Sequence, residues 1–145
     1  MADNKTINEF RGEYAFLSNF YETEIFCWGF TFKNAEAAFQ AMKEPQRAYM
    51  FQNIDAKTAK WLGRRVKLRS DWEQVKEKFM YTVCFAKFTQ NSKLGEKLLS
   101  TGEKTLIEGN VWGDAEWGVC NGKGKNLLGK ILMQVRDTIK KSNRR

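Results

Sequence analysis

Trp72, Val75, Phe79, Val83 and Ala86 recur at steps of three and four residues, the period that one buried face of an α-helix imposes on a chain. No proline interrupts the run, so a long helix packed on one side is required. Ser70-Asp71-Trp72-Glu73 precedes it as a capping box, with Glu73 placed to reach back to the Ser70 amide. The same signals assign the other helices. Asn34 caps a helix over 35–43, and Pro45 fits the first turn of the next. Asp55 caps a short helix closed by Gly63, a helix over 92–101 ends at Gly102, and Asn126 caps the last. That last helix carries its core stripe on Leu128, Ile131, Leu132 and Val135. Residues 10–33 alternate aromatics with polar residues and glycines and read as loops with short strands. Residues 105–108 make another short strand, and 109–125 a long loop rich in glycine and tryptophan. The expected class is mainly α, an α+β domain that is helical with a few short strands.

The 145 residues suit a single domain over 1–145, with no repeat, linker or low-complexity segment. No apolar run approaches the ~20 residues of a membrane helix. The first residues lack the apolar core of a secretory signal, so the expected location is cytoplasmic. Trp28 and Trp61 are assigned to the core. There is no histidine, which removes Ser/His, Cys/His and His-ligated zinc chemistry. Acid–base work falls to Asp, Glu, Lys, Tyr or water. Cys27, Cys84 and Cys120 lie far apart and form no metal knuckle, so they read as buried free thiols. Neither a metal nor a cofactor is expected.

The net charge of +8 suits an anionic ligand. Half of it is Lys140, Lys141, Arg144 and Arg145, read as a basic tail over 140–145. A second basic stretch, Arg64-Arg65-Val66-Lys67-Leu68-Arg69, lies between two helices and also fits a plain solvated face.

Two constellations bear chemistry. On the helix over 35–43, at about 100° per residue, Glu36, Gln40 and Lys43 fall within about 60° of one another. A carboxylate, an amide and an ammonium thus share a ridge beside the apolar Ala35, Ala38, Phe39 and Met42. By itself that ridge also fits a polar ladder on a solvated face. The second constellation is the stretch 108–129. Gly122 and Gly124 precede a helix N-terminus, where unpaired amides attract anions, and Lys123 and Lys125 add charge. An ordinary tight turn fits this spacing equally well. Asp114 and Trp117 add a carboxylate and a flat surface suited to stacking on a base.

Several blocks taken together resemble the YbiA-like, or NADAR, family of N-glycosidases. They are Phe16-Leu17-Ser18-Asn19-Phe20, Ala35-Glu36-Ala37-Ala38-Phe39-Gln40-Ala41-Met42-Lys43 and Gly63-Arg64. Leu68-Arg69-Ser70-Asp71-Trp72 and Lys87-Phe88-Thr89-Gln90-Asn91 follow, then Trp112-Gly113-Asp114 through Trp117-Gly118, and Gly122 to Gly129 with Leu132-Met133. They span 16–136 in the family's order.

The resemblance implies hydrolysis of the bond between ribose C1 and a base or amine nitrogen. Two substrate classes go with it: ADP-ribose on guanine bases, and the phosphoribosylamino-pyrimidines of riboflavin synthesis. Glu36, Gln40 and Lys43 match the family's helical motif, and Trp72, Asp114, Trp117 and Asn126 match its positions around the ribose and base. On the reading as a whole, Glu36, Lys43 and Asp114 are the expected catalytic residues. Asn19, Phe20, Gln40, Arg64, Trp72, Trp112, Trp117, Gly118, Gly122, Lys123, Gly124 and Asn126 are the expected substrate contacts. The chemistry can be assembled from these groups. A carboxylate, Glu36 or Asp114, stabilises charge at C1 and orients water, or Lys43 forms a Schiff base with an opened ribose. Gly122–Asn126 with Arg64 or Lys123 hold phosphates, and Trp117 or Trp72 stacks on the base. The implied partner is a nucleotide-type substrate, free or carried on DNA or RNA, with no membrane. The rival reading is a non-catalytic ADP-ribose or nucleotide-binding module, which needs no carboxylate at C1. A third is a basic nucleic-acid-binding module, whose binding falls steeply with salt.

Overall fold

The computed structural model describes residues 5–143. Eleven helices and strands follow one another: β1 (Thr6–Ile7), β2 (Glu22–Cys27), β3 (Phe30–Asn34), α1 (Ala35–Ala41), α2 (Ala56–Gly63), α3 (Trp72–Gln90), α4 (Ser92–Ser100), β4 (Thr105–Leu106), β5 (Gly109–Asn110), β6 (Val119–Cys120) and α5 (Leu127–Ser142). Two 3-10 helices, Gly12–Leu17 and Pro45–Phe51, complete the order. The α+β class with short strands is thus observed. The chain gathers into two compact units. One is Asn19–Asn91; the other takes the chain up to Ser18 and from Ser92 onward.

In the unit of Asn19–Asn91, β2 and β3 form an antiparallel hairpin with Ile25 opposite Phe32 and Cys27 opposite Phe30. Its two-residue turn, Trp28-Gly29, has both φ values positive, at 55° and 84°, as a type I′ turn demands. The turn carries Trp28 to the hairpin tip, where it is exposed and edge-on to Phe79 at 5.6 Å. The expectation that Trp28 sits in the core is overturned. Trp61 is overturned too: it is 53% exposed on the outer face of α2, with the Arg65 guanidinium 3.7 Å from its ring centre.

α1 lies at the centre of this unit, packed by the hairpin, the second 3-10 helix, α2 and α3. Asn34 starts it as expected, accepting the Ala37 N–H at 2.8 Å while its own amide donates to Ile54 O. Asp55 likewise accepts the Thr58 N–H to start α2. The capping box of α3 does not form. Arg69 holds the Asp71 carboxylate with two hydrogen bonds, at 2.6 and 3.1 Å, and Glu73 accepts from Lys76 instead. The Lys76 ammonium outcompetes the Ser70 amide for the Glu73 carboxylate, a charge-assisted bond being the stronger. The buried side of α3 is also rotated from the expected stripe. Trp72, Val83 and Ala86 of that stripe are buried, together with Lys76, Met80, Cys84, Lys87 and Phe88, whereas Val75 and Phe79 are half-buried. Lysine stems are apolar enough to occupy such positions.

In the other unit, β1 runs parallel to β4, with Ile7 opposite Leu106, and β5 runs parallel to β6. The segment 109–125, expected as a bare loop, therefore holds two short strands. α5 packs on α4 and β4 through Leu128, Ile131, Leu132 and Val135, the expected stripe. Asn126 precedes α5 but makes no capping bond. Its φ is 54°, and its side chain donates to Leu106 O at 2.9 Å and accepts the Glu108 N–H at 3.0 Å. Asn126 therefore pins the exit of β4, because an asparagine in the left-handed region turns its amide back onto nearby backbone. The basic tail expected over 140–145 begins inside α5, where Lys141 pairs with Asp137; residues 144–145 lie outside the described residues.

Candidate active site

Glu36, Gln40 and Lys43 come from α1 and the residues just after it. The helix ends at Ala41 rather than at 43, so Lys43 sits beyond its cap, with its N–H donating to Gln40 O at 3.1 Å. Every residue of α1 is buried except Glu36, which is half-buried. Gln40 Nε2 donates to Glu36 Oε2 at 2.6 Å, a short, charge-assisted bond. Gln40 Oε1 is buried and has no partner among the described residues. The orientation is nonetheless forced, since turning the amide would set its oxygen against the carboxylate. Room for it comes from α2, where a Cβ on Gly63 would lie 1.9 Å from Gln40 Oε1.

Asn19 and Phe20 belong to the same unit. Asn19 O accepts the Glu36 N–H at 3.0 Å, and its side chain meets only the Met80 sulfur, at 3.3 Å. Its Oδ1 is the other buried oxygen without a partner. A buried unsatisfied polar atom costs about 1–3 kcal/mol, and two of them flank the start and end of α1. Phe20 is exposed.

Trp72 is buried, packed on Phe39 at 5.1 Å and Phe79 at 6.4 Å, with Lys43 Nζ 5.8 Å from its ring centre. A ring so enclosed supports Lys43 and is poorly placed to stack on a base. Arg64 is exposed at the end of α2. The backbone binds Lys43 from the far side as well, through the Arg69 N–H to Lys43 O at 2.9 Å.

In the other unit, Asp114 shapes its loop. Its Oδ1 accepts the N–H groups of Glu116 and Trp117 at 3.1 and 2.9 Å, and Asn110 grips its backbone through both side-chain amide atoms. Gly118 gives space to Glu108, whose carboxylate a Cβ there would strike. Asn110 and Glu108 were missed in the sequence; their signal was the polar pair flanking Gly109.

The anion cradle expected before α5 is overturned. The N–H groups of Lys125, Asn126, Leu127 and Leu128 donate to the carbonyls of Ala115, Gly118, Glu116 and Trp117 at 2.8–3.2 Å. A helix N-terminus attracts anions only through unpaired amides, and these four are paired. Lys123, Gly122 and Gly124 are exposed, and Trp117 is half-buried. A cleft of about 350 Å³ opens in this unit among Asn8, Phe10, Arg11, Ser18, Glu108 and Trp112, with Gly122 at its edge.

Cys84 is the buried free thiol expected, and Lys87 is buried with it. Both lie in α3; burial pushes the thiol up to about 12 and the ammonium down to about 8. Lys87 lies over Tyr21 and Phe88 at 5.6 and 5.0 Å. Cys27 is buried and Cys120 half-buried, both as free thiols. Among the described residues no three His, Cys, Asp or Glu side chains gather as metal ligands, and no helix is long and apolar enough to cross a membrane.

Comparison with known proteins bears on these residues. The NADAR domain family matches residues 7–140. An N-glycosidase YbiA of Shigella flexneri is 39% identical over 133 residues, 88% of this chain and 82% of the relative. A riboflavin biosynthesis protein of Vibrio vulnificus is 34% identical over 132 residues, 87% of this chain but 36% of that protein. The NMR structure of the Escherichia coli protein YbiA superposes with a TM-score of 0.87 at 34% identity, covering 99% of this chain and 89% of that one.

Proposed function

The chain belongs to the NADAR domain family and is a hydrolase of the N-glycosyl class; we propose that it cleaves the ribose C1–N bond of ADP-ribosylated guanine. The phosphoribosylamino-pyrimidines of riboflavin synthesis are the second candidate substrate, favoured by the relative named for that pathway. Water adds at C1, the C1–N bond breaks, and its electron pair leaves with the nitrogen, which takes up a proton. The observation that carries the reading is the Glu36–Gln40 hydrogen bond at 2.6 Å, set into the buried α1 beside Lys43. A non-catalytic reader of nucleotides needs no carboxylate at C1.

In this proposal Glu36 faces the positive charge that develops at C1. A carboxylate fixed by a buried amide needs no reorganisation when that charge appears. In the covalent form of this route Lys43, steadied by Trp72, takes the place of water at C1. The ring C1–O4 bond opens, and the C1–N bond breaks with its electron pair leaving on the protonated nitrogen. Water then hydrolyses the C1=N bond to free the lysine amine and the ribose. Gln40 and Asn19 position α1, and Arg64 meets phosphate. Of the site residues expected in the other unit, Trp112 and Lys123 are exposed and are proposed as substrate contacts. Asp114, Trp117, Gly118, Gly122, Gly124 and Asn126 are proposed to shape the 108–129 segment, Asp114 thereby leaving the catalytic role to Glu36 and Lys43.

The test offers purified protein both ADP-ribosylated guanosine and the riboflavin intermediates and compares rates of base or amine release. Release from neither, by protein shown to be folded, rejects the proposal; faster release from the pyrimidines reassigns the substrate.

A further inference from the structure

We propose that the outer face of α2, with the turn that follows it, is a docking surface for single-stranded nucleic acid. The inference rests on the reading above, that the α1 ridge acts on an N-riboside, and names the polymer that carries it. Lys57, Lys60, Trp61, Arg64 and Arg65 follow one another at i, i+3, i+4, i+7 and i+8, which is one side of a helix. The other side, Ala56, Ala59 and Gly63, is buried. From Lys57 to Arg69 there are six cations and no acid. Arg69 is neutralised by Asp71, and the flanking Asp55 caps α2. Lys57, Lys60, Arg64, Arg65 and Lys67 remain.

Cations near a helix C-terminus suit its dipole, and that alone explains a basic end. It does not explain an exposed tryptophan among them. The Arg65 guanidinium carbon lies 3.7 Å from the Trp61 ring centre, and Nη1 donates to Trp61 O at 2.9 Å. The pair presents a preformed planar surface ringed by positive charge. Unpaired bases stack on such surfaces while lysines track the phosphates. An acidic protein would use the charge but not the stack, and a duplex hides its base faces.

The surface is joined to the α1 ridge. The link runs through the turn after α2, where the Lys67 N–H donates to Glu44 Oε1 and Arg69 binds Met42 O and Lys43 O. A strand that runs from α2 onto this turn therefore comes to the end of α1 that carries Lys43.

The test measures binding of the full chain to a labelled oligothymidine longer than one site of ~4–16 nucleotides, over a series of salt concentrations. Wild type binds with an affinity that falls linearly on logarithmic axes. Trp61→Ala weakens binding by roughly fivefold or more, Trp61→Phe restores most of it, and Lys57→Ala lowers the salt slope by about 0.7. The proposal is overturned if Trp61→Ala and Lys57→Ala bind like wild type. It is also overturned if duplex DNA of equal length binds as tightly, or if phosphatidylserine vesicles bind and the oligonucleotide does not. Wild-type turnover of ADP-ribosylated guanosine is assayed separately. Failure there rejects the hydrolase substrate, and binding of the unmodified strand still decides the surface.

Discussion

Gly63 stands so close to Gln40 that a Cβ on the glycine would fall 1.9 Å from the amide oxygen. A residue of α2 thereby decides where a side chain of α1 points, and that side chain holds Glu36. The glycine does not serve a turn here, since its φ is not positive.

Gly63→Ala separates stability from activity. Alanine favours the helix by up to about 1 kcal/mol, whereas the clash drives Gln40 from its place and breaks its bond to Glu36. The melting temperature should shift little, while kcat falls by about tenfold or more, a change of ~1.4 kcal/mol in the barrier. Wild-type kcat in a folded variant would show that the Glu36–Gln40 bond does not matter to turnover.

Glu36→Gln keeps the shape of the side chain and an acceptor for Gln40 but removes the charge. Turnover is expected to drop by roughly 10²-fold or more, with circular dichroism and melting unchanged. A folded variant with wild-type rate rejects Glu36 as the charge-stabilising group; loss of folding assigns it to structure.

Lys43→Arg retains a cation over Trp72 but removes the amine that attacks an opened ribose. Substrate binding should persist and turnover nearly vanish. Borohydride added during wild-type turnover should leave a reduced adduct on Lys43, read by peptide mass spectrometry. If the variant stays within about tenfold of wild type and no adduct forms, the carboxylate alone carries the hydrolysis.

Lys87 makes stability depend on pH. Its ordinary value of 10.5 falls to about 8 in the fold, because burial disfavours the ammonium. Below pH 8 both folded and unfolded chains carry the proton, and the penalty for burying the charge is fully present. Between about 8 and 10.5 the folded chain has released its proton and the unfolded chain has not, so this residue's contribution to stability rises with pH. The total is up to about 3 kcal/mol. Cys84, pushed up from 9.0 to about 12, keeps its proton in the fold while the unfolded thiol loses it above about 9. Its contribution therefore falls with pH and is common to wild type and variant. Urea unfolding of wild type and Lys87→Met near pH 7 and pH 10 checks this. The wild type should gain on the variant as pH rises, and a constant difference refutes it.

Local patterns in the chain determined most of the helices. Asn34 and Asp55 start α1 and α2 as their residue types demand, because a cap is a contact between neighbours three residues apart. The α5 stripe was readable for the same reason, and so was the pairing of Glu36 with Gln40, since i,i+4 neighbours follow from helical periodicity. Lys43, by contrast, lies beyond the helix that the period had extended to it.

The rest was settled by which partners the folded chain brings together. Trp28 and Trp61 are apolar enough for a core, yet a type I′ turn and the outer face of α2 hold them at the surface. Glu73 would close onto the Ser70 amide had Lys76 not taken its carboxylate, and the amides before α5 would hold an anion had the 115–118 carbonyls not filled them. Sequence supplied the donors and acceptors; only tertiary structure decided which of them meet, because each carboxylate, amide or ring binds the best partner that packing brings within about 3 Å.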